Sequence, residues 1–491
     1  MAKTRKPRVL IVYTGGTIGM APSEPDNPIS PLTPQSFKAL KRYAPALNEL
    51  AKRVVLDEVS PFDPPLDSSN VTSEHWVTMA RTIRDAYDDH DGFVILHGTD
   101  TLAYTASALA FMFRNLAKPV VVTGSQLPIS DIRTDATGNL ISAIYLAGYR
   151  AFGLPRVPEV VVCFADKVLR GCRATKSSAS QFDGFDSPNF PPLGTIGEHI
   201  VIHEELLMPA PPDDAGLILQ TDLVTDVMNV VVFPGIRGDH LERAVLAPDV
   251  QGVIIHTFGT GNAPTRPELL EVIERAVDSG RTVLNVTQCQ QGTVEMGLYA
   301  AGSALLEKGV VSGLDMTAEA ALTKLMWTLG TQYGSGIASQ LQINQRGEQS
   351  ENLFELAYSE ATAGQVAGRH VAPEMPDGRL QRDHLSRAHV RLVDVGLVGA
   401  EVGDTVRLNL FVHKPRATHR TPTRDPMCLG TIEFVWKGHP RYLVADVTRR
   451  LKPVIGRGEI PLTVVSADPQ VRVHFSGLYL SLFSKSRDRK I

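Results

Sequence analysis

Residues 9–19 read VLIVYTGGTIG, and the same pattern returns at 93–101, FVILHGTDT, and at 120–126, VVVTGSQ. Each is a short apolar run without polar alternation that passes directly into glycine and a small hydroxyl residue. Runs of that kind are expected of strands buried on both faces. Similar runs lie at 160–164, 253–256 and 283–286. Helical spacing fills the intervals: Trp76, Met79, Ile83 and Ala86 within 74–88, and Leu102, Ala106, Leu109 and Phe113 within 102–116. Two more such stretches carry Leu270, Ile273 and Val277 within 267–279, and Leu322, Leu325 and Leu329 within 317–329. Thr265 with Glu268 forms a capping-box pattern before the third helix, and Gly280 and Gly330 are expected to end the third and fourth. Strands alternating with helices imply parallel α/β sheets with right-handed crossovers.

Outward from these runs, 491 residues exceed one ordinary core. The Pro-rich MPAPPDD at 208–214 divides a larger N-terminal α/β domain from a smaller C-terminal one. The expected boundaries are 1–207 and 229–345 for these domains, with 208–228 and 346–387 as linkers and 388–491 as a β-rich module. In that module, strand-like runs at 389–397, 405–412, 428–436, 442–447, 462–465 and 471–483 are separated by Pro, Gly and Asp turns, which predicts an all-β sandwich. The basic residues around 416–424 and 485–490 read as solvated surface.

Hydrophobic residues make up 43% and charged residues 21% of a chain whose formal net charge is -4, so neither nucleic acid nor an anionic membrane is expected as partner. Cys163, Cys172, Cys289 and Cys428 are too sparse for a disulfide framework or a zinc site. The apolar run at 9–13 is too short for a signal core, and no run is long enough to span a bilayer. A cytoplasmic protein without metal or cofactor is the expectation.

In open parallel sheets, ligands bind beyond the carboxyl ends of the strands. Here three such ends carry Thr14-Gly15-Gly16-Thr17, Gly98-Thr99-Asp100-Thr101 and Thr123-Gly124-Ser125. A hydroxyl that attacks an amide must lose its proton, have its charge stabilised and hold its target. A lysine beside a carboxylate would lower the energy of a threonine alkoxide. Taken alone, the TGGT turn reads equally as a plain strand-to-helix turn or a phosphate-binding one, and Asp100 as a helix-start residue. Neither G-x-x-x-x-G-K-[ST] nor G-x-G-x-x-G is present.

The segments YTGGTIGM (13–20), DSSNVT (67–72), DGFVILHGTDTLAYTASAL (91–109), PVVVTGSQLP (119–128), RGCRATK (170–176), GTGNAP (259–264), NVTQCQQG (285–292) and DMTAEAALTKL (315–325) together resemble the asparaginase–glutaminase family over about residues 6–345, its cytoplasmic type I branch most closely. The resemblance implies that Thr14 is the usual nucleophile. It also implies a triad of Thr99, Lys176 and Asp100, with Asp100 receiving the substrate ammonium. Ser68 and Ser69 match positions that bind the substrate carboxylate, and Gly15 and the Thr99 N–H match the oxyanion site. Asn262 matches a loop residue that reaches a neighbouring subunit's site, implying a homodimer or homotetramer.

The implied activity is hydrolysis of L-asparagine to L-aspartate and ammonia by double displacement. The alternatives are a glutaminase-type subunit of a tRNA-dependent amidotransferase and a non-catalytic amino-acid-binding relative.

Two departures stand out. The family's flexible segment after the first turn carries a tyrosine, whereas residues 21–35 have none. Asn27 falls near its place and Tyr43 is the next tyrosine, so either another residue serves or the loop aligns differently. Some type I members bind asparagine at a regulatory site through a threonine, a cysteine and an arginine. Thr175 and Cys289 match the first two, and His256 stands at the arginine position. Cys289 also reads as a small buried filler. Weak or absent cooperativity is expected.

Overall fold

A computed structural model describes residues 5–24, 30, 32–296, 300–332, 336–358, 369–370, 385–455 and 460–485. By its internal contacts the chain forms two compact units: Met1–Thr225 with Met316–Gln332 and Gln345–Glu348, and Asp226–Asp315 with Tyr333–Asn344 and Gln349–Ile491.

The first unit is built on an eight-stranded sheet in the order Ile200–Ile202, Gly194–Ile196, Lys167–Arg170, Val160–Phe164, Val120–Thr123, Gly92–Leu96, Arg8–Tyr13, Val55–Val59. The last five of these run parallel, and the other three join antiparallel at one edge. The apolar runs are buried throughout, as helices on both faces require. Tyr13 lies opposite Leu96, which aligns the ends of the strands that carry Thr14 and the 97–101 turn.

Helix Ala318–Thr331 belongs to this unit, although its sequence position had placed it in the second domain. Its Trp327 stacks on Phe111 of helix Leu102–Met112 at 6.0 Å. Thr317 caps it by accepting the Ala320 N–H. The helix does not stop at Gly330 but runs through it. A Cβ there would overlap the Asp222 carbonyl, so this glycine permits close backbone approach rather than a C-cap. Lys324 and Glu348, both 0% exposed, pair at 2.5 Å, and Glu348 also accepts the Gln345 and Arg346 N–H groups. This pair ties 345–348 to the helix, so 346–348 is not linker.

The second unit combines a four-stranded parallel sheet, Val227–Val231, Gly252–Thr257, Thr282–Thr287 and Val311–Ser312, with a β-sandwich. Helix Pro267–Asp278 starts with proline at its first position and Arg266 as N-cap, without a side-chain cap. Thr265 lies one residue too early, so the expected capping box does not form.

In the sandwich, one sheet contains Glu351–Ala357, Gly477–Lys485, Leu385–Val398 and Arg441–Asp446. The other contains Arg369–His370, Leu462–Ser466, Thr405–Val412 and Cys428–Val435. Inward side chains of both sheets share one core, including Leu392, Val406, Leu408, Leu443 and Leu480. Strand Glu351–Ala357 falls within the expected second linker, and a boundary at 388 would cut strand Leu385–Val398. The expected first linker likewise contains Ile218–Leu219, paired with Phe113–Arg114.

The sandwich is packed on the α/β part of its unit. Glu274, buried, pairs with Lys308 at 3.1 Å, Lys437 at 2.7 Å and Arg441. Arg387 donates to the Val294 carbonyl at 2.6 Å. The basic residues beyond 485 lie outside the described residues.

Removing one partner of a buried ion pair strands the other charge. Lys324→Met is expected to lower stability by about 3–5 kcal/mol, read as a shift of the urea unfolding midpoint of the first unit; a change under about 1 kcal/mol would contradict this role.

Candidate active site

Three turns meet at the carboxyl end of the first sheet. Gly15 bridges Leu66. Gly16 N–H donates to the Leu66 carbonyl at 3.0 Å, and Leu66 N–H donates to the Thr14 carbonyl at 2.7 Å. Gly15 and Gly16 have φ of 121° and 82°. A Cβ on Gly15 would overlap Leu66, and one on Gly16 would overlap the Gly98 backbone. Only glycine gives both the left-handed backbone and this approach. Ser68 is buried with its Oγ against Gly98, where a Cβ would collide with it. Asp67 holds the short helix Ser68–Asn70 by accepting the Ser69 N–H at 3.0 Å, and Thr101 Oγ1 donates to the Ser68 carbonyl at 2.8 Å. Ser69 is exposed.

On this frame, Thr14 is buried and its hydroxyl donates to the Leu96 carbonyl at 2.8 Å. That bond occupies its proton with an acceptor that is not a base. Thr99, also buried, differs: its Oγ1 accepts from Lys176 Nζ at 2.9 Å, and the same Nζ lies 2.6 Å from Asp100 Oδ1. An ammonium donating to a hydroxyl oxygen stabilises the alkoxide and leaves the hydroxyl proton free to depart. The Asp100 side chain is 64% exposed and that of Lys176 20%, so the carboxylate stands open to a ligand ammonium. Thr99, Asp100 and Lys176 are thus in direct contact, and Thr14 and Gly15 end the adjacent strand. The described part of the following loop is a hairpin of Met20–Pro22 and Leu32–Pro34. Asn27 lies outside the described residues, and Tyr43 is exposed.

Two groups behind the site carried no role in the sequence reading. His97 is buried, with Nδ1 2.8 Å from the Gly98 carbonyl and Nε2 3.0 Å from Thr105 Oγ1, which itself accepts from Trp76 Nε1 at 3.0 Å. A carbonyl only accepts, so Nδ1 carries the proton and Thr105 donates to Nε2. Every donor in this chain is matched, and burial pushes the imidazole down to about 4. The second group is Glu319, whose carboxylate accepts from Thr175 Oγ1 at 2.7 Å. Only its place in the 315–325 segment hinted at it; a lone Glu in a helix start ordinarily reads as a dipole partner.

The remaining expected residues lie in the second unit. Asn262 closes a tight turn by exchanging backbone bonds with Phe258 at 2.8 and 2.9 Å. His256 Nε2 is 2.6 Å from Asn229 Oδ1, and burial lowers its pKa. Cys289 is exposed, which overturns its reading as a buried filler.

Comparison with known proteins gives the family. A model for the asparaginase N-terminal domain matches residues 8–208, and one for the glutaminase/asparaginase C-terminal domain matches 226–339. The chain is 42% identical over 347 residues to L-asparaginase 1 of Escherichia coli (strain K12), across 70% of this chain and 98% of that protein. It is 36% identical over 444 residues to the 60 kDa lysophospholipase of Mus musculus, across 85% of this chain and 75% of that one. The crystal structure of L-asparaginase I from Vibrio cholerae O1 biovar eltor str. N16961 superposes with a TM-score of 0.63 at 38% identity, covering 70% of this chain and 99% of that chain. The chain belongs to the asparaginase family.

A histidine whose pKa is lower folded than unfolded supplies stability that is whole above about pH 6.5 and is lost as pH falls toward 4. For His97 that loss is roughly 3 kcal/mol. His389 of the second unit, also pushed down to about 4, adds its own slope. His97→Gln is therefore expected to flatten, not abolish, the fall in denaturation midpoint between pH 6.5 and 4; an unchanged slope would contradict a neutral buried His97.

Proposed function

We propose that this protein is an L-asparagine amidohydrolase, producing L-aspartate and ammonia through a threonine-bound acyl intermediate. The contact of Lys176 Nζ with both Thr99 Oγ1 and Asp100 Oδ1 carries this reading. Asp100 receives the substrate ammonium, and Ser68 and Ser69 face the substrate carboxylate. Thr14 attacks the side-chain amide carbon; its proton passes to the departing nitrogen, and ammonia leaves an aspartyl ester. Gly15 and the Thr99 N–H hold the oxyanion. Water, deprotonated with the help of Thr99 and Lys176, then cleaves the ester and restores the Thr14 hydroxyl. For this to proceed, the Thr14 hydroxyl exchanges its bond to Leu96 for one to a proton acceptor when substrate is bound.

The same reading places the enzyme in the cytoplasm as a homo-oligomer, with Asn262 reaching a neighbouring subunit. Four free cysteines suit a reducing compartment. Among the described residues no helix is long and apolar enough to cross a membrane. The β-sandwich is a structural part of the second unit, supported by its contacts with Glu274 and Val294.

Thr14→Ala and Thr99→Val are each expected to lower kcat for ammonia release from free asparagine by at least about 10²–10³-fold, in protein that retains its circular dichroism and oligomer mass. Near wild-type turnover in either variant would sink the assignment. Release from free asparagine, without tRNA or a second subunit, also separates this reading from an amidotransferase subunit.

A regulatory asparagine would need a cation for its carboxylate. His256, whose pKa burial lowers, is a poor substitute for the arginine's permanent charge at that position, and the Thr175 hydroxyl is already given to Glu319. The rate is expected to rise hyperbolically with asparagine, and a clearly sigmoidal curve in steady-state kinetics would contradict this.

A further inference from the structure

We propose that Glu319 is a positioning residue that holds the two-residue strand Thr175–Lys176 from behind and thereby sets the reach of Lys176 Nζ onto Thr99 and Asp100. The inference rests on the reading of Thr99, Lys176 and Asp100 given above. Lys176 sits on a very short strand, paired only as Thr175 with Asp186 and Lys176 with Phe185. Two ladder positions leave a four-methylene side chain weakly directed. Successive side chains of a strand point to opposite faces. Lys176 is directed to the site, and Thr175 is directed away from it, onto helix Ala318–Thr331.

There Glu319, 8% exposed, holds the strand through its carboxylate. Its Oε1 accepts the Thr175 hydroxyl at 2.7 Å. The helix is itself anchored by the buried Lys324–Glu348 pair, so the grip is made from a fixed element.

A buried carboxylate is a costly choice for a structural filler. Glu319 Oε2 has no hydrogen-bond partner among the described residues, and burial holds its carboxyl above the usual range. Methionine or leucine would fill the space without that penalty. What they lack is an acceptor for the Thr175 hydroxyl. Catalytic constellations tolerate only small errors, and a misplacement of about 1 Å can cost on the order of 10²-fold in rate.

The experiment measures kcat and KM for asparagine in Glu319→Ala, Glu319→Gln and Thr175→Val, with Lys176→Met as reference. Glutamine keeps an oxygen acceptor of the same shape. Glu319→Ala is expected to lose about 10–100-fold in kcat with KM within about 2-fold of wild type. Glu319→Gln should recover most of that loss, and Thr175→Val should fall in the same direction by a smaller factor. A folded Glu319→Ala with wild-type kcat overturns the proposal, as does a Glu319→Gln no better than the alanine. Should Glu319→Ala fail to fold, Thr175→Val decides, because it removes one hydroxyl and keeps the shape; a wild-type kcat there overturns the proposal. Wild-type turnover in Lys176→Met would instead overturn the reading of the site itself, an outcome distinct from the failure of Glu319 alone.

Discussion

The site depends on close approach at three glycines, backbone against backbone at Gly15 and Gly16 and against the Ser68 side chain at Gly98. A single methyl group at any of these would push apart the turns that carry Thr14, Ser68 and Thr99. Parallel pairing of Arg8–Tyr13 with Gly92–Leu96 brings two threonine-bearing turns level, and the glycines then let them close. The buried chain from Trp76 through Thr105 and His97 to the Gly98 carbonyl braces one of them, using polar groups that are all satisfied and uncharged.

Charge is graded across the site by depth. The Asp100 carboxylate is exposed and available to a ligand, the Lys176 ammonium is mostly covered, and Glu319 is buried behind the strand. An ion pair as open as Lys176–Asp100 contributes little to stability. What it does in the structure is aim an ammonium at the Thr99 oxygen. The buried ion pair Lys324–Glu348 has the opposite character: it lies away from solvent and anchors helix Ala318–Thr331.

The second unit shows how a sandwich becomes part of an α/β core. Glu274 on helix Pro267–Asp278 meets three cations, two of them, Lys437 and Arg441, from the sandwich. Tyr442 and Val444 pack into the apolar cluster of the parallel sheet. A surface designed for solvent would have no reason to bury that carboxylate.

Strand identity and the glycine-bearing turns at the strand ends were legible in the sequence, because both rest on local signals. Unbroken Val and Ile runs mark strands covered on both faces, and glycine beside threonine marks where a backbone must turn and approach. Most sandwich strands were legible for the same reason, through their turns, but Glu351–Ala357 and Arg369–His370 were not, and the expected run at 471–483 divides into Arg472–His474 and Gly477–Lys485. Contacts between distant segments were not. Gly330 looked like a helix stop because its partner, the Asp222 carbonyl, is more than a hundred positions away. The helix at 318–331 and residues 345–348 are tied to one another because a buried lysine found a buried glutamate, and to the first unit through contacts such as Trp327 on Phe111 and Arg346 with the Ala110 carbonyl, none of which a local pattern encodes. Glu319 resembled an ordinary helix-start carboxylate until the fold set the Thr175 hydroxyl against it. Periodicity and turn chemistry are properties of neighbours along the chain; which buried charges meet is decided only when the chain has closed upon itself.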